Sequence, residues 1–316
     1  MKIGVVFPGQ GSQGVGMGSD VALNSSAARA TFERAAAVLG YDLLALQREG
    51  PEEKLRETAY SQPAIFTTNL ALYAAVGPEL QPVVTAGHSF AELCSLVIAR
   101  SLEFEEALHI VTERGNAMQE AAQRARGGMS AILGLDAAKV REVLQQVHDR
   151  GRVALANFNS PTQIVISGDF DAVQTAAQAM LTAGAKRVVP LNVSGAWHSV
   201  LMEPAVERVA AAVESSDFVL PAFDVISNVD GRPYRDIATI KANLIRSVVD
   251  EVRWHDTAES LISYRLDSVV EFGASGVLSA LMKRMPGGPP QSIVVSDFAG
   301  VERLRSALVS PTGANA

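Results

Sequence analysis

From Gly127 to about residue 192 the spacing of apolar residues changes repeatedly, and the changes dictate an element order. Residues 129–134, 152–157, 162–167 and 186–192 carry the short apolar runs of strands, while 137–148 and 170–183 place apolar side chains at helical spacing. The order βαββαβ is the ferredoxin-like arrangement, a small subdomain able to close on its own core. Gly127-Gly128 opens it, and the Asn159-Ser160-Pro161 turn punctuates its centre.

The flanking sequence has a different texture. Residues 2–7 (KIGVVF) read as a buried strand running into a loop at Pro8-Gly9, and 82–86 (PVVTA) as a second one. Residues 26–39, 62–75, 90–99 and 104–125 are helical in pattern. Beyond residue 197 long helices return, with a strand at 268–272 closed by Gly273. The expected architecture is α/β: residues 1–126 and 194–316 form one discontinuous domain that carries 127–193 as an insert. The terminal SPTGANA is small and polar and is expected to fray.

With 316 residues and 48% hydrophobic content, the chain can bury one large core and a smaller one. A net charge of -7 argues against a nucleic-acid binder, which normally presents a basic face. The single cysteine, Cys94, excludes an internal disulfide and a multi-cysteine metal site. MKIGVVFPGQG turns too early to be a signal peptide, and no run of about 18 apolar residues exists to span a membrane. A cytoplasmic location is expected.

Two glycine-rich turns follow the two buried strands. Gly9-Gln10-Gly11-Ser12-Gln13-Gly14 matches the dinucleotide fingerprint, but that fingerprint needs a second strand ending in an acid about 20 residues on. Here the corresponding region is the continuous helical pattern 26–39, with Glu33 inside it. No Lys-Ser/Thr pair follows the glycines, so a P-loop fails too. What remains is a loop of exposed N–H groups that can serve as half of an oxyanion hole.

The second turn, Gly87-His88-Ser89, lies between strand and helix. It would place Ser89 on a sharp elbow, with the Phe90 N–H directed at a developing oxyanion. The same serine could simply cap a helix. Ala91 stands where a nucleophile elbow has glycine. Among five histidines, His88 adjoins the serine and should point away from it, while His109, His148 and His255 read as surface or structural. His198, on the small-residue turn NVSGAWHS, is the candidate base. No acid stands out to orient it, so a backbone carbonyl could do so. Arg114 is either a solvated helix charge or a clamp for a carboxylate.

Taken in order, FPGQGSQ (7–13), GHSFAE (87–92), ERGNAMQ (113–119), ANFNSPTQIVISG (156–168), GAWHS (195–199), VRW (252–254) and EFGASGVLSALMKR (271–284) resemble malonyl-CoA:acyl-carrier-protein transacylases, the acyltransferases of fatty-acid and polyketide synthesis. The resemblance covers residues 3 to 306. It implies an α/β-hydrolase-like core with the ferredoxin-like insert, Ser89 as nucleophile and His198 as general acid/base. It further implies an oxyanion hole from the backbone of Gln10 and Phe90, and Arg114 on the malonyl carboxylate. Gln62 would be an active-site glutamine, Trp197 would limit α-substituents on the acyl group, and the Arg253 carbonyl would orient the histidine. The substrates implied are malonyl-CoA and an acyl carrier protein bearing phosphopantetheine. The protein itself would hold no permanent cofactor or metal and would act as a monomer. Three positions depart from the family: Ala91 for glycine, Trp197 for phenylalanine, and Ala274-Ser275 for Pro-Gly. Two other readings stay open, an acyl-carrier-protein hydrolase of the same fold and a non-catalytic docking module. Lys186-Arg187 and Lys283-Arg284 are candidate contacts for an acidic carrier.

Overall fold

A computed structural model describes residues 1–289 and 291–309, so the expected frayed end at 310–316 lies outside the described residues. The larger unit is built on strands β1 (Ile3–Phe7) and β2 (Pro82–Gly87). The smaller unit supplies β3 (Gly127–Leu133), β4 (Val153–Ser160), β5 (Gln163–Asp169) and β6 (Arg187–Pro190). The chain then returns to the larger unit with β7 (Asp224–Val225), β8 (Ser268–Phe272) and β9 (Gln291–Val295).

The large sheet has the order β7-β2-β1-β8-β9, and every pairing in it is parallel. IGVVF and SVVEF are buried at every position, as strands covered on both faces must be. The chain leaves β1 toward β2 on one side and reaches β8 on the other. In an open α/β sheet such a reversal leaves a crevice outside the carboxyl ends of the strands. Phe7 is in register with Gly87, so the loops after β1 and β2 emerge side by side.

The small sheet has the order β4-β5-β3-β6, fully antiparallel, which is the ferredoxin-like order. Its helices, Ala137–Gln146 and Phe170–Thr182, close a separate core around Ile132, Val143, Ile164, Ile166 and Met180. The βαββαβ expectation and the α/β frame both match the observed elements. β4 runs three residues past its expected end, through the turn read at Asn159-Ser160. It can do so because it bulges and Asn157 bridges to Val252 of the large unit. The helix expected at 62–75 spans Thr58–Val76 with Pro63 inside it. Its first N–H is accepted by Gln119 Oε1 at 2.9 Å, a distant partner that local periodicity does not contain.

Candidate active site

The His88 N–H bonds the Phe7 carbonyl at 2.9 Å, so the β1–β2 pairing persists one residue past β2. The chain then reverses. Ser89 takes φ 57, a left-handed conformation that a side-chain-bearing residue adopts at a cost of about 1–2 kcal/mol. A short 3₁₀ turn, Ser89–Ala91, leads into helix Glu92–Ile98. The close approach falls on Gly87, where a Cβ would sit 1.9 Å from the Ala91 carbonyl oxygen. Ala91 itself has φ -67 and ψ -6, ordinary right-handed values, and its methyl is fully buried in the main core. The elbow therefore tolerates Ala91 without strain there; the strained residue is Ser89.

His198, also left-handed at φ 56, presents Nε2 to Ser89 Oγ at 2.7 Å. Its Nδ1 lies 3.1 Å from the carbonyl oxygen of Asp250. That network assigns the proton to Nδ1 and leaves Nε2 free to accept from the serine hydroxyl. The expectation for Arg253 is corrected by this contact. The Arg253 carbonyl accepts from the Thr257 N–H and Oγ1, both at 3.0 Å, because it opens helix Trp254–Ser263. The orienting carbonyl lies three residues earlier. Burial, then the Arg114 and His88 charges, hold the His198 pKa down to about 3, so the ring is neutral at pH 7.

Arg114 lies on helix Phe104–Arg124 and is 2% exposed. One guanidinium nitrogen is 3.3 Å from Ser89 Oγ, and the group sits 6.0 Å above the Phe90 ring. Among the described residues no carboxylate pairs with it, and its Nε is buried without a partner. Burial lowers its pKa to about 10, which still leaves it charged. Gly115 lets the two helices touch, since a Cβ there would meet the Thr58 carbonyl at 2.8 Å.

A cavity of about 440 Å3 lies over these groups, walled by Gln10, Ser89, Arg114, Trp197 and His198 and, from the small unit, by Met129, Asn157 and Leu191. Gln10 is anchored through its side chain to Thr58 Oγ1 at 3.0 Å. Gln62 does not line the cavity; it lies fully buried behind Gln10, 3.4 Å from its Oε1. The Ser89 N–H is taken by Asn228 Oδ1 at 3.2 Å. The Trp197 ring packs over Gly195 and forms one wall.

His88 differs from its expectation. It does not simply turn away but forms part of the cavity wall, with Nε2 3.2 Å from Asn159 Oδ1 on β4. His109 and His148 are exposed, and His255 packs against Phe158. Neither basic pair lies at the cavity. Arg187 pairs with Leu133 at the far end of β6, whereas Leu191 beyond the near end lines the cavity. Lys283-Arg284 follows helix Val277–Met282, which runs back from the carboxyl end of β8 toward the start of β9. Sequence reasoning missed Glu92, Asn228 and Tyr234, a buried polar cluster beneath the elbow. Their sole sequence signal is an acid placed in the otherwise apolar start of helix Glu92–Ile98. Among the described residues no group of three or more acidic, histidine or cysteine side chains could hold a metal, and no helix is long and apolar enough to cross a membrane.

A family model described as the acyl transferase domain matches residues 5–285. The malonyl CoA-acyl carrier protein transacylase of Haemophilus influenzae is 39% identical over 311 residues, covering 98% of this chain and 99% of that protein. That of Bacillus subtilis is 39% identical over 303 residues, covering 95% of each. Among solved structures, a malonyl-transacylase in complex with its type II PKS acyl-carrier protein superposes with a TM-score of 0.92 at 37% identity, covering 97% of this chain and 100% of that one. An acyl carrier protein S-malonyltransferase from Vibrio cholerae gives 0.90 at 38% identity, covering 96% and 100%.

Proposed function

The chain belongs to the acyl transferase domain family, and from that premise we propose how it moves a malonyl group from CoA to the phosphopantetheine thiol of an acyl carrier protein. It is a malonyl-CoA:acyl-carrier-protein transacylase. In the first half-reaction His198 Nε2 takes the Ser89 proton as Oγ attacks the thioester carbonyl. The Phe90 and Gln10 N–H groups receive the charge that develops on oxygen. Collapse expels the CoA thiolate, which leaves with the proton from His198, and Ser89 keeps the malonyl ester. The carrier thiol then gives its proton to His198, attacks the ester, and the serine is restored.

The observation that carries the substrate assignment is Arg114, a buried cation without a carboxylate partner among the described residues, 3.3 Å from the nucleophile. A malonyl carboxylate supplies the missing charge; an acetyl group would leave it unpaired, at a cost of about 3–5 kcal/mol. Arg114→Ala is expected to lower malonyl transfer about a thousandfold while retaining or raising acetyl transfer. Intact-mass analysis of the acyl-enzyme formed from each thioester checks this, and unchanged malonyl loading would refute the role. In the absence of carrier the malonyl-serine ester is expected to persist. Rapid release of free malonate would instead identify a hydrolase.

A further inference from the structure

The Ser89 backbone is strained, and beneath it lies a buried acid that no cation accompanies among the described residues. Glu92 is 3% exposed, and among the described residues no lysine or arginine pairs with it. Its Oε2 accepts from the Asn228 backbone N–H at 2.7 Å and from Asn228 Nδ2 at 2.5 Å, and its Oε1 accepts from the Tyr234 hydroxyl. Asn228 Nδ2 also donates to the Gly87 carbonyl at 2.6 Å. Both amide hydrogens are thereby used, so Oδ1 can face only the Ser89 N–H, which it accepts at 3.2 Å. The Gly87 carbonyl can only accept, which forbids the flipped amide: Oδ1 against it would set two acceptors together and turn Nδ2 toward the Ser89 N–H.

We propose that Glu92 and Tyr234, acting through Asn228, are positioning residues that hold Ser89 in its left-handed conformation and reserve the Phe90 N–H for the oxyanion. The cluster spans the fold, joining the elbow to the segment just beyond β7 that sequence places well over a hundred residues away. It touches neither the malonyl carboxylate site nor His198, so it should govern the rate of attack and leave substrate affinity alone.

This inference rests on Ser89 being the nucleophile, and the test separates the two. Diisopropyl fluorophosphate reacts with an activated serine and needs neither malonyl-CoA nor a carrier. Wild-type diisopropylphosphorylation at Ser89, with fluoride as the leaving group and read by intact and peptide mass, establishes the nucleophile; without it, both claims fall. Given labelling, Asn228→Ala and Glu92→Gln should each slow it by roughly 30-fold, with the KM for malonyl-CoA within about twofold because Arg114 is undisturbed. The Glu92→Gln/Asn228→Ala double variant should be no slower than Asn228→Ala within about twofold, since one residue acts through the other. Tyr234→Phe, the mildest change, should slow labelling about threefold and keep a cooperative thermal transition; it decides the question should Glu92→Gln fail to fold. Multiplying effects in the double variant, or wild-type labelling rates in folded Asn228→Ala or Tyr234→Phe, would overturn the proposal.

Discussion

Arg114 and His198 are set against each other by charge. Both are buried, and burial first, then the guanidinium charge, lowers the histidine's proton affinity, so the ring stays a neutral base well into acid. The ordinary value of 6.5 falls to about 3 in the folded protein. The rate of malonyl loading should therefore show no inflection near pH 6.5 and stay level down to about pH 5. Replacing Arg114 with glutamine removes one of the charges that lower it and should move the acid limb upward, as a pH profile of acyl-enzyme formation would show. The same shift bears on stability. Between about 3 and 6.5 the unfolded chain binds a proton at this histidine that the folded chain does not, so stability falls as pH drops through that window. Arg114 also costs stability while it lacks a partner. Arg114→Gln should raise stability by about 1–2 kcal/mol even as it abolishes malonyl selectivity. Free malonate should raise the melting temperature of the wild type and not of the variant, because only the wild type offers the charge that the ligand completes.

At the level of elements, the elbow depends on one glycine and not on the position where its motif departs from expectation. Gly87→Ala drives a Cβ into the Ala91 carbonyl and should prevent helix Glu92–Ile98 from seating, with loss of both activity and much of the stability. Ala91→Gly should keep activity and cost about 1 kcal/mol, because it removes a buried methyl and loosens a residue that is already right-handed. Parallel measurements of thermal melting and loading rate on the two variants would separate these outcomes. The sequence made strands such as SVVEF and the βαββαβ insert readable because their signal is local periodicity. β7, of only two residues, and β9, whose first four residues are exposed or half-buried, carry little of that signal. For the site, local turns and helical spacing brought Ser89, His198 and Arg114 into view as candidates, and the motif order then implied their roles. The contacts of Asp250 with His198 and of Asn228 with Ser89 join residues far apart in the chain, and no spacing rule reports them. The Arg253 assignment failed for that reason: its carbonyl is claimed by a helix start that a motif alone does not reveal.

Across the whole molecule, the cavity lies where the carboxyl ends of the parallel strands face the small sheet, and one segment serves both sides. The Val252 N–H bonds the Ala156 carbonyl at 2.8 Å and the Val252 carbonyl accepts from Phe158 at 2.9 Å, while Asp250, two residues earlier, fixes His198. A carrier protein must approach this mouth to deliver its thiol. With a net charge of -7, the average field repels an acidic partner, so only basic groups close to the mouth can offset it. Arg187 sits four residues along the chain from Leu191 at the cavity, about 13 Å at the rise of a strand. That exceeds the screening length of about 8 Å at physiological salt. Reversing the pair, Lys186→Glu with Arg187→Glu, should leave the KM for carrier protein within about twofold. Arg56 lies on the cavity wall with its side chain 51% exposed and paired to Glu52. Arg56→Glu should raise that KM several-fold, most at low salt. Steady-state transfer measured at two ionic strengths compares the two, and a larger effect from the distant pair would move the docking face to the edge of the small sheet.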